Sequence, residues 1–180
     1  MALLHQATIS PTKLEFVTDY LDNMPWGGTG DVDMIGGYRF DDPAGEVGVE
    51  GLLVSRDGRV LHVPCTYRGE KLSGADEYLI TTMKHSALGD RWVYEAAADP
   101  VAVDCYLKAL RGEISQAQLE LEKTDGTVVP VEWPVRLTLH GDPADGTGLV
   151  FSDELAAPVS GRSWLVAEWD GGQGVVAALR

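Results

Sequence analysis

Several short patterns in this 180-residue sequence place chemically useful residue types at spacings that enzymes employ. Ser10-Pro-Thr-Lys13 has the spacing of a serine nucleophile and its lysine partner, and Lys123-Thr-Asp125 and Ser152-Asp-Glu154 faintly echo companion motifs of such enzymes. Their order is wrong, two of the three are imperfect, and helix N-capping accounts for Ser10. Asp31-Val-Asp33-Met-Ile35-Gly36 begins like a calcium loop, but Ile35 stands at a ligand position and Asp42 stands where a bidentate Glu should close the shell. Trp26-Gly-Gly-Thr-Gly30 is glycine-rich without GxGxxG spacing or a strand-turn-helix setting, and neither GxxxxGK[ST] nor GxSxG occurs. These stretches read as an acidic loop and a flexible loop.

His5, His62, His85 and His140 have no metal-ligand spacing, and neither Cys65 nor Cys105 sits beside one of them. His62 and His140 fall on the polar phase of strands and are expected at the surface. His85 opens a turn, Ser-Ala-Leu-Gly-Asp, that leads to Arg91, Trp92 and Tyr94. His85, Arg91 and Tyr94, with Arg68 adding positive charge, form the candidate binding set, suited to an anion or a phosphosugar. The competing reading makes Trp92 and Tyr94 core aromatics and gives His85 a hydrogen bond to the backbone. No catalytic residue, metal ligand or cofactor is assigned. Glu46 and Glu50 share a strand face, but without a cleft a carboxylate pair carries no weight. Trp133, Trp164 and Trp169 lie in or beside strands, where a large ring more often closes a core than forms a sugar platform.

The elements that must hold these residues follow from glycine, proline and apolar periodicity. Of four Asp-Gly pairs, Asp57-Gly58, Asp125-Gly126 and Asp170-Gly171 sit between apolar runs and supply the positive φ angles of tight hairpins; the fourth is Asp145-Gly146. The first predicts strands over 46–55 and 59–67, with Leu61, Val63 and Cys65 on one face. The second predicts strands over 118–123 and 127–131, the third over 164–169 and 174–179. Arg136 to His140 alternates too, with Leu137 and Leu139 inward. Ser10 and Pro11 open a helix carrying Leu14, Val17, Tyr20 and Leu21, ended by Met24-Pro25. Asp99-Pro100 opens a second, with Val103, Tyr106, Leu107 and Leu110 as its stripe and Gly112 as its stop. Two short helices and seven or eight strands predict a single α+β domain spanning 1–180, built on antiparallel hairpins. The last thirty or so residues, beyond the Asp142–Gly148 loop, are expected to complete the same sheet.

Composition narrows the function. With 28 Asp and Glu against 14 Lys and Arg, the net charge of −14 repels phosphate backbones and anionic lipid, so nucleic-acid and membrane-surface roles are not expected. No apolar run approaches the ~20 residues of a membrane span, and MALLHQATIS lacks the basic start and apolar stretch of a signal peptide. Two cysteines in apolar stretches read as reduced core thiols of a cytoplasmic protein, though the sequence leaves one disulfide open.

The stretch Val63-Pro-Cys-Thr-Tyr-Arg-Gly-Glu-Lys-Leu-Ser-Gly-Ala-Asp-Glu-Tyr-Leu-Ile80, the run His85 to Glu95, and Asp99-Pro-Val101 resemble the N-terminal cap domain of actinobacterial maltokinases and related aminosugar kinases. Thr12-Lys-Leu-Glu15, Pro25-Trp26 and Gly37 to Gly48 match as well. The similarity is strongest over 5–110. It implies a curved antiparallel sheet with helix, loosely cystatin- or monellin-like. In the kinases a two-lobed phosphotransferase that holds ATP, magnesium and sugar follows this cap, whereas this sequence ends at Arg180. His140-Gly141-Asp142 repeats the tripeptide of the kinase catalytic loop, but Pro143-Ala-Asp-Gly-Thr-Gly follows without the metal-holding Asn or Gln. It reads as a turn.

The resemblance implies a non-catalytic accessory or interaction module of maltose, trehalose and α-glucan metabolism. Its expected partner is a glucan- or trehalose-pathway enzyme, or a kinase acted on in trans; a sugar ligand and self-association are further expectations. The alternative is a small enzyme or phosphosugar-binding protein using His85, Arg91 and Tyr94.

Overall fold

The computed structural model describes residues 2–4, 8–122, 127–143 and 146–180. Strands β1 (Ala2–Leu4) and β2 (Ile9–Ser10) precede helix α1 (Lys13–Asn23), and β3 (Asp33–Phe40), β4 (Gly48–Arg56) and β5 (Arg59–Arg68) then form a meander. The hairpin of β6 (Leu79–His85) and β7 (Gly89–Glu95) leads to helix α2 (Pro100–Leu110), followed by β8 (Leu119–Glu122) and β9 (Val128–Val131). Strands β10 (Val135–Gly141), β11 (Leu149–Phe151), β12 (Ser163–Trp169) and β13 (Gly172–Leu179) complete the chain.

The main sheet is curved and wholly antiparallel, in the order β2-β6-β7-β5-β4-β3, and with the two helices makes the α+β architecture expected. Asp57 (φ 52°) and Gly58 (φ 71°) make the predicted turn, placing Arg56 opposite Arg59. Strands β12 and β13 close around Asp170-Gly171, with Gly171 at φ 98°. Strands β8 and β9 pair as predicted, but their Asp125-Gly126 turn lies outside the described residues. Strands β3, β6 and β7 escaped prediction. Glycines and a register shift at Met34/Gly36 blur the pattern of β3, and another shift at Leu79/Thr81 blurs β6.

Helix α1 begins two residues later than expected. Thr12, not Ser10, is the N-cap: its hydroxyl accepts from the Glu15 N–H while the Glu15 carboxylate accepts from the Thr12 N–H. This reciprocal box satisfies two helix-end donors where Ser10 would satisfy one, and Ser10 instead pairs with Lys84 in β2. Met24 ends the helix as anticipated. Helix α2 follows its predicted grammar, with Asp99 accepting from the Val101 N–H and Gly112 at φ 74° beyond the last turn. Its buried face is turned, however, onto Ala102, Cys105, Tyr106, Ala109 and Leu110. Ala102, Cys105 and Ala109 add little to a hydrophobic pattern, but their small volume lets the helix settle close to the sheet.

The main sheet is buried on both sides. On one, Leu52, Val54, Leu61, Val63, Cys65 and Val93 pack against Phe16, Val17 and Leu21 of α1. On the other, Tyr38, Phe40, Val49 and Leu53 meet α2 together with Leu165, Ala167, Val176 and Leu179. Those last residues belong to a second antiparallel sheet, ordered β10-β12-β13-β11, so the tail does not extend the main sheet as expected. Among the described residues its main chain hydrogen-bonds to that sheet where β5 is left open. Strand β7 covers Cys65 to Arg68 of β5, and beyond it the His62 N–H donates to the Asp153 carbonyl (2.9 Å) and the Leu155 N–H to the Val60 carbonyl (3.0 Å). A third sheet, β1-β8-β9, contains a parallel pair that brings residues 2–4 beside 119–121.

Candidate functional site

His85 ends β6, and its Nδ1 accepts from the N–H groups of Ala87 (3.2 Å) and Leu88 (3.1 Å), organising the hairpin turn. Arg91 stands opposite Met83 on β7 and donates to the Asp90 carbonyl at 3.0 Å. Tyr94 is fully buried, and its hydroxyl accepts from the Leu72 N–H at 3.0 Å, pinning the loop after β5. Arg68 grips Asp99 through two parallel bonds of 2.6 and 2.7 Å. Strand alternation puts Arg91 and Tyr94 on opposite faces of β7. Cross-strand register places Arg68 with Tyr94 on one face and His85 with Arg91 on the other. The four residues do not converge on one cavity.

Asp99 does structural work at a junction. It is fully buried, caps α2, and also accepts from the Thr66 hydroxyl at 2.8 Å. Burial alone would raise its carboxyl, but the bonds from Arg68, Thr66 and the Val101 N–H outweigh it and hold the group below the usual carboxylate range. Glu50 behaves alike. Burial opposes its charge, while Lys13 (2.6 Å), nearby Arg39 and the Tyr67 hydroxyl (2.7 Å) more than compensate and lower it. Lys13 is thereby committed to Glu50.

A buried polar chain missed by sequence reasoning crosses the centre. His62 is fully buried, contrary to the surface position expected, because α2 and the second sheet cover the side of β5 that the alternation had marked as polar. Its Nε2 lies 2.8 Å from the Tyr38 hydroxyl, which lies 2.9 Å from the Tyr106 hydroxyl, and its Nδ1 lies 3.0 Å from the Ser152 carbonyl. A carbonyl can only accept, so Nδ1 carries the proton and Nε2 accepts from Tyr38, which in turn accepts from Tyr106. Burial lowers His62 to about 4, opposed in part by the bond to Ser152.

One hollow of about 410 Å³ lies beside Leu72, Tyr78 and Pro100, next to the Tyr94 and Asp99 contacts, and others lie elsewhere. A hollow of about 800 Å³ runs beside Gln116, Gln118, Leu119, Pro130, Glu132, Trp133, Arg136 and Leu137. A neighbour of about 410 Å³ reaches Phe40, Ala109, Leu139 and Leu165 between the two larger sheets. The strap 113–117 separates them. Its Ala117 N–H donates to the Arg39 carbonyl of β3 (2.7 Å), and the Gln116 amide accepts from the Leu137 N–H and donates to the Val135 carbonyl (3.1 Å). Trp133 donates its Nε1 to the Ala117 carbonyl at 2.6 Å and Trp164 to the Val159 carbonyl at 2.9 Å, so both indoles serve packing.

Other motifs take structural places. His140 and Gly141 end β10 opposite Trp164 and Ser163, and the Asp142 N–H donates to the Arg162 carbonyl at 3.0 Å. Asp33 to Phe40 is strand rather than the acidic loop expected. Arg56 ties the glycine-rich loop down, donating to the Gly30 carbonyl (2.9 Å) and pairing with Asp22. Cys65 and Cys105 are free, buried thiols; burial pushes them to about 12 and about 11. Among the described residues no three His, Cys, Asp or Glu side chains gather as a metal shell requires, and no helix is long and apolar enough to cross a membrane.

Residues 20–99, from the second half of α1 to the N-cap of α2, match the family model of the maltokinase N-terminal cap domain. No curated protein and no solved structure matches the chain.

Proposed function

We propose that this chain, a maltokinase N-terminal cap-like domain protein, is a non-catalytic accessory module of maltose and α-glucan metabolism that acts by binding a partner enzyme. The family match over 20–99 carries this reading. The fate of the polar side chains supports it: His62, Glu50, Asp99, Arg68 and Tyr94 are each spent on joining one element to another, and none of them lines the hollows beside Trp133 and Leu139. We further take 1–180 as one unit, supported by a shared core that draws on the main sheet, α2 and the second sheet. A partner that phosphorylates maltose or builds α-glucan, working in the cytoplasm, fits the family context.

Sedimentation of the purified chain with a maltose-phosphorylating kinase or a glucan-building enzyme tests the reading. A complex of defined stoichiometry with one of these enzymes is expected. Independent sedimentation of the chain from every such enzyme overturns it.

A further inference from the structure

Strand β10 is an edge of the second sheet: β12 lies on one side, and among the described residues no strand lies on the other. The main-chain groups of alternate residues point to that open side. Val135 and Leu137 identify which ones, because their carbonyl and N–H reach the Gln116 side chain rather than β12. By the two-residue period of a strand, the Leu137 carbonyl and both the N–H and the carbonyl of Leu139 face the same way. Gln116 thus imitates one peptide group of a missing strand, and the next positions along the edge are vacant. Beside them the 410 Å³ hollow descends to Phe40, Ala109 and Leu165. Exposed Glu113 stands on its rim, and exposed Glu132 stands on that of the adjoining hollow with exposed Arg136.

We propose that β10 is a docking edge for an extended peptide segment of a partner chain, which adds as a strand alongside Leu137 and Leu139, seats one large apolar side chain in the hollow, and carries Lys or Arg on either side of it. Three features select this occupant. Unpaired edge groups recognise main chain rather than a particular side chain. The hollow beside the edge has Phe40, Ala109 and Leu165 at its base and Glu113, Ser115 and Gln116 at its mouth, and it lies where one side chain of an added strand would point. Glu113 at the mouth of this hollow and the net charge of −14 favour a basic segment and oppose a second copy of this chain. The proposal rests on the interaction-module reading and assigns it a surface.

Fluorescence anisotropy with a ten-residue probe alternating Leu and Lys tests it, together with amide hydrogen exchange on the full chain. Saturable binding is expected, with the Leu139 amide slowed at least tenfold in the complex. Replacing Lys by Glu in the probe, or methylating its backbone nitrogens, should weaken binding at least tenfold. Leu139→Pro removes one edge donor without removing a bond to β12, so a folded variant should bind at least tenfold more weakly. Should that variant not fold, the methylated probe on the native chain decides alone. No saturable binding, binding without slowing at Leu139, undiminished binding of the methylated probe, or self-association of the chain through this edge overturns the proposal. A partner enzyme that still binds folded Leu139→Pro overturns this surface while leaving the accessory role intact. Failure of every enzyme to bind the native chain overturns that role, whatever the probe does.

Discussion

Tyr38 and His62, on strands that do not touch, share a 2.8 Å hydrogen bond in the buried layer between the main sheet, α2 and the second sheet. Strand β4 runs between theirs, and the Tyr38 ring crosses it over Gly51. A methyl group at Gly51 would lie 2.2 Å from the Tyr38 ring. One glycine therefore permits a contact that links β3, β5, α2 and, through the Ser152 carbonyl, the segment after β11.

Gly51→Ala should therefore displace Tyr38 and destabilise the fold by about 1–3 kcal/mol, as overpacking does elsewhere. Tyr38→Phe should cost about 1–3 kcal/mol by leaving His62 Nε2 and the Tyr106 hydroxyl without their partner. Urea midpoints of the two variants check both figures. A midpoint equal to the native one for Gly51→Ala would show that the ring moves freely.

His62 also makes stability depend on pH. Its folded-state value near 4 lies below the 6.5 of a free imidazole, so the unfolded chain takes up the proton first on acidification. The stabilisation is complete above about pH 6.5, declines as pH falls towards 4, and changes no further below that. The difference of about 2.5 units corresponds to roughly 3 kcal/mol at most. Urea unfolding between pH 7 and 4 should show this decline, and His62→Gln should flatten it while lowering stability at pH 7.

The Arg68–Asp99 pair makes a sharper claim about α2. Asp99→Ala removes the helix cap and strands a partly buried guanidinium, and should cost about 3–5 kcal/mol. Asp99→Asn keeps an oxygen for the Val101 N–H and should cost less. Because the Asp99 carboxyl is held low, its contribution is present above its ordinary value of 3.8 and is lost as pH falls through and below it. Thermal unfolding of both variants at pH 7 gives the ordering.

Cys65 and Cys105 should resist alkylation in the folded chain. Both thiols are buried and held protonated well above neutral pH. Mass spectrometry after brief iodoacetamide treatment at pH 7.5 should find neither modified, and both modified in urea.

Local rules made the hairpins and α2 legible: Asp57-Gly58, Asp170-Gly171 and Asp99-Pro100 act through the conformations of one or two residues. The layers were not legible, because strand alternation identifies an apolar face but not what covers the other one. His62 shows the consequence. A polar residue opposite Leu61 and Val63 points outward in a sheet of two layers and inward in one covered on both sides. The candidate set met the same limit. His85, Arg91 and Tyr94 are close in sequence, but the interval of three between Arg91 and Tyr94 separates their side chains in a strand, and the hairpin containing them was not anticipated. The Gln116 strap carries no sequence signal, since its partners at Arg39 and Leu137 are distant in the chain.

The central claim is that the chain works by binding and not by chemistry of its own. Its most direct test is phosphoryl transfer from radiolabelled ATP to maltose in the presence of magnesium, with the purified 180-residue chain as the sole protein. The account predicts no product above the protein-free control. Sugar phosphate accumulating in proportion to the amount of chain would contradict it.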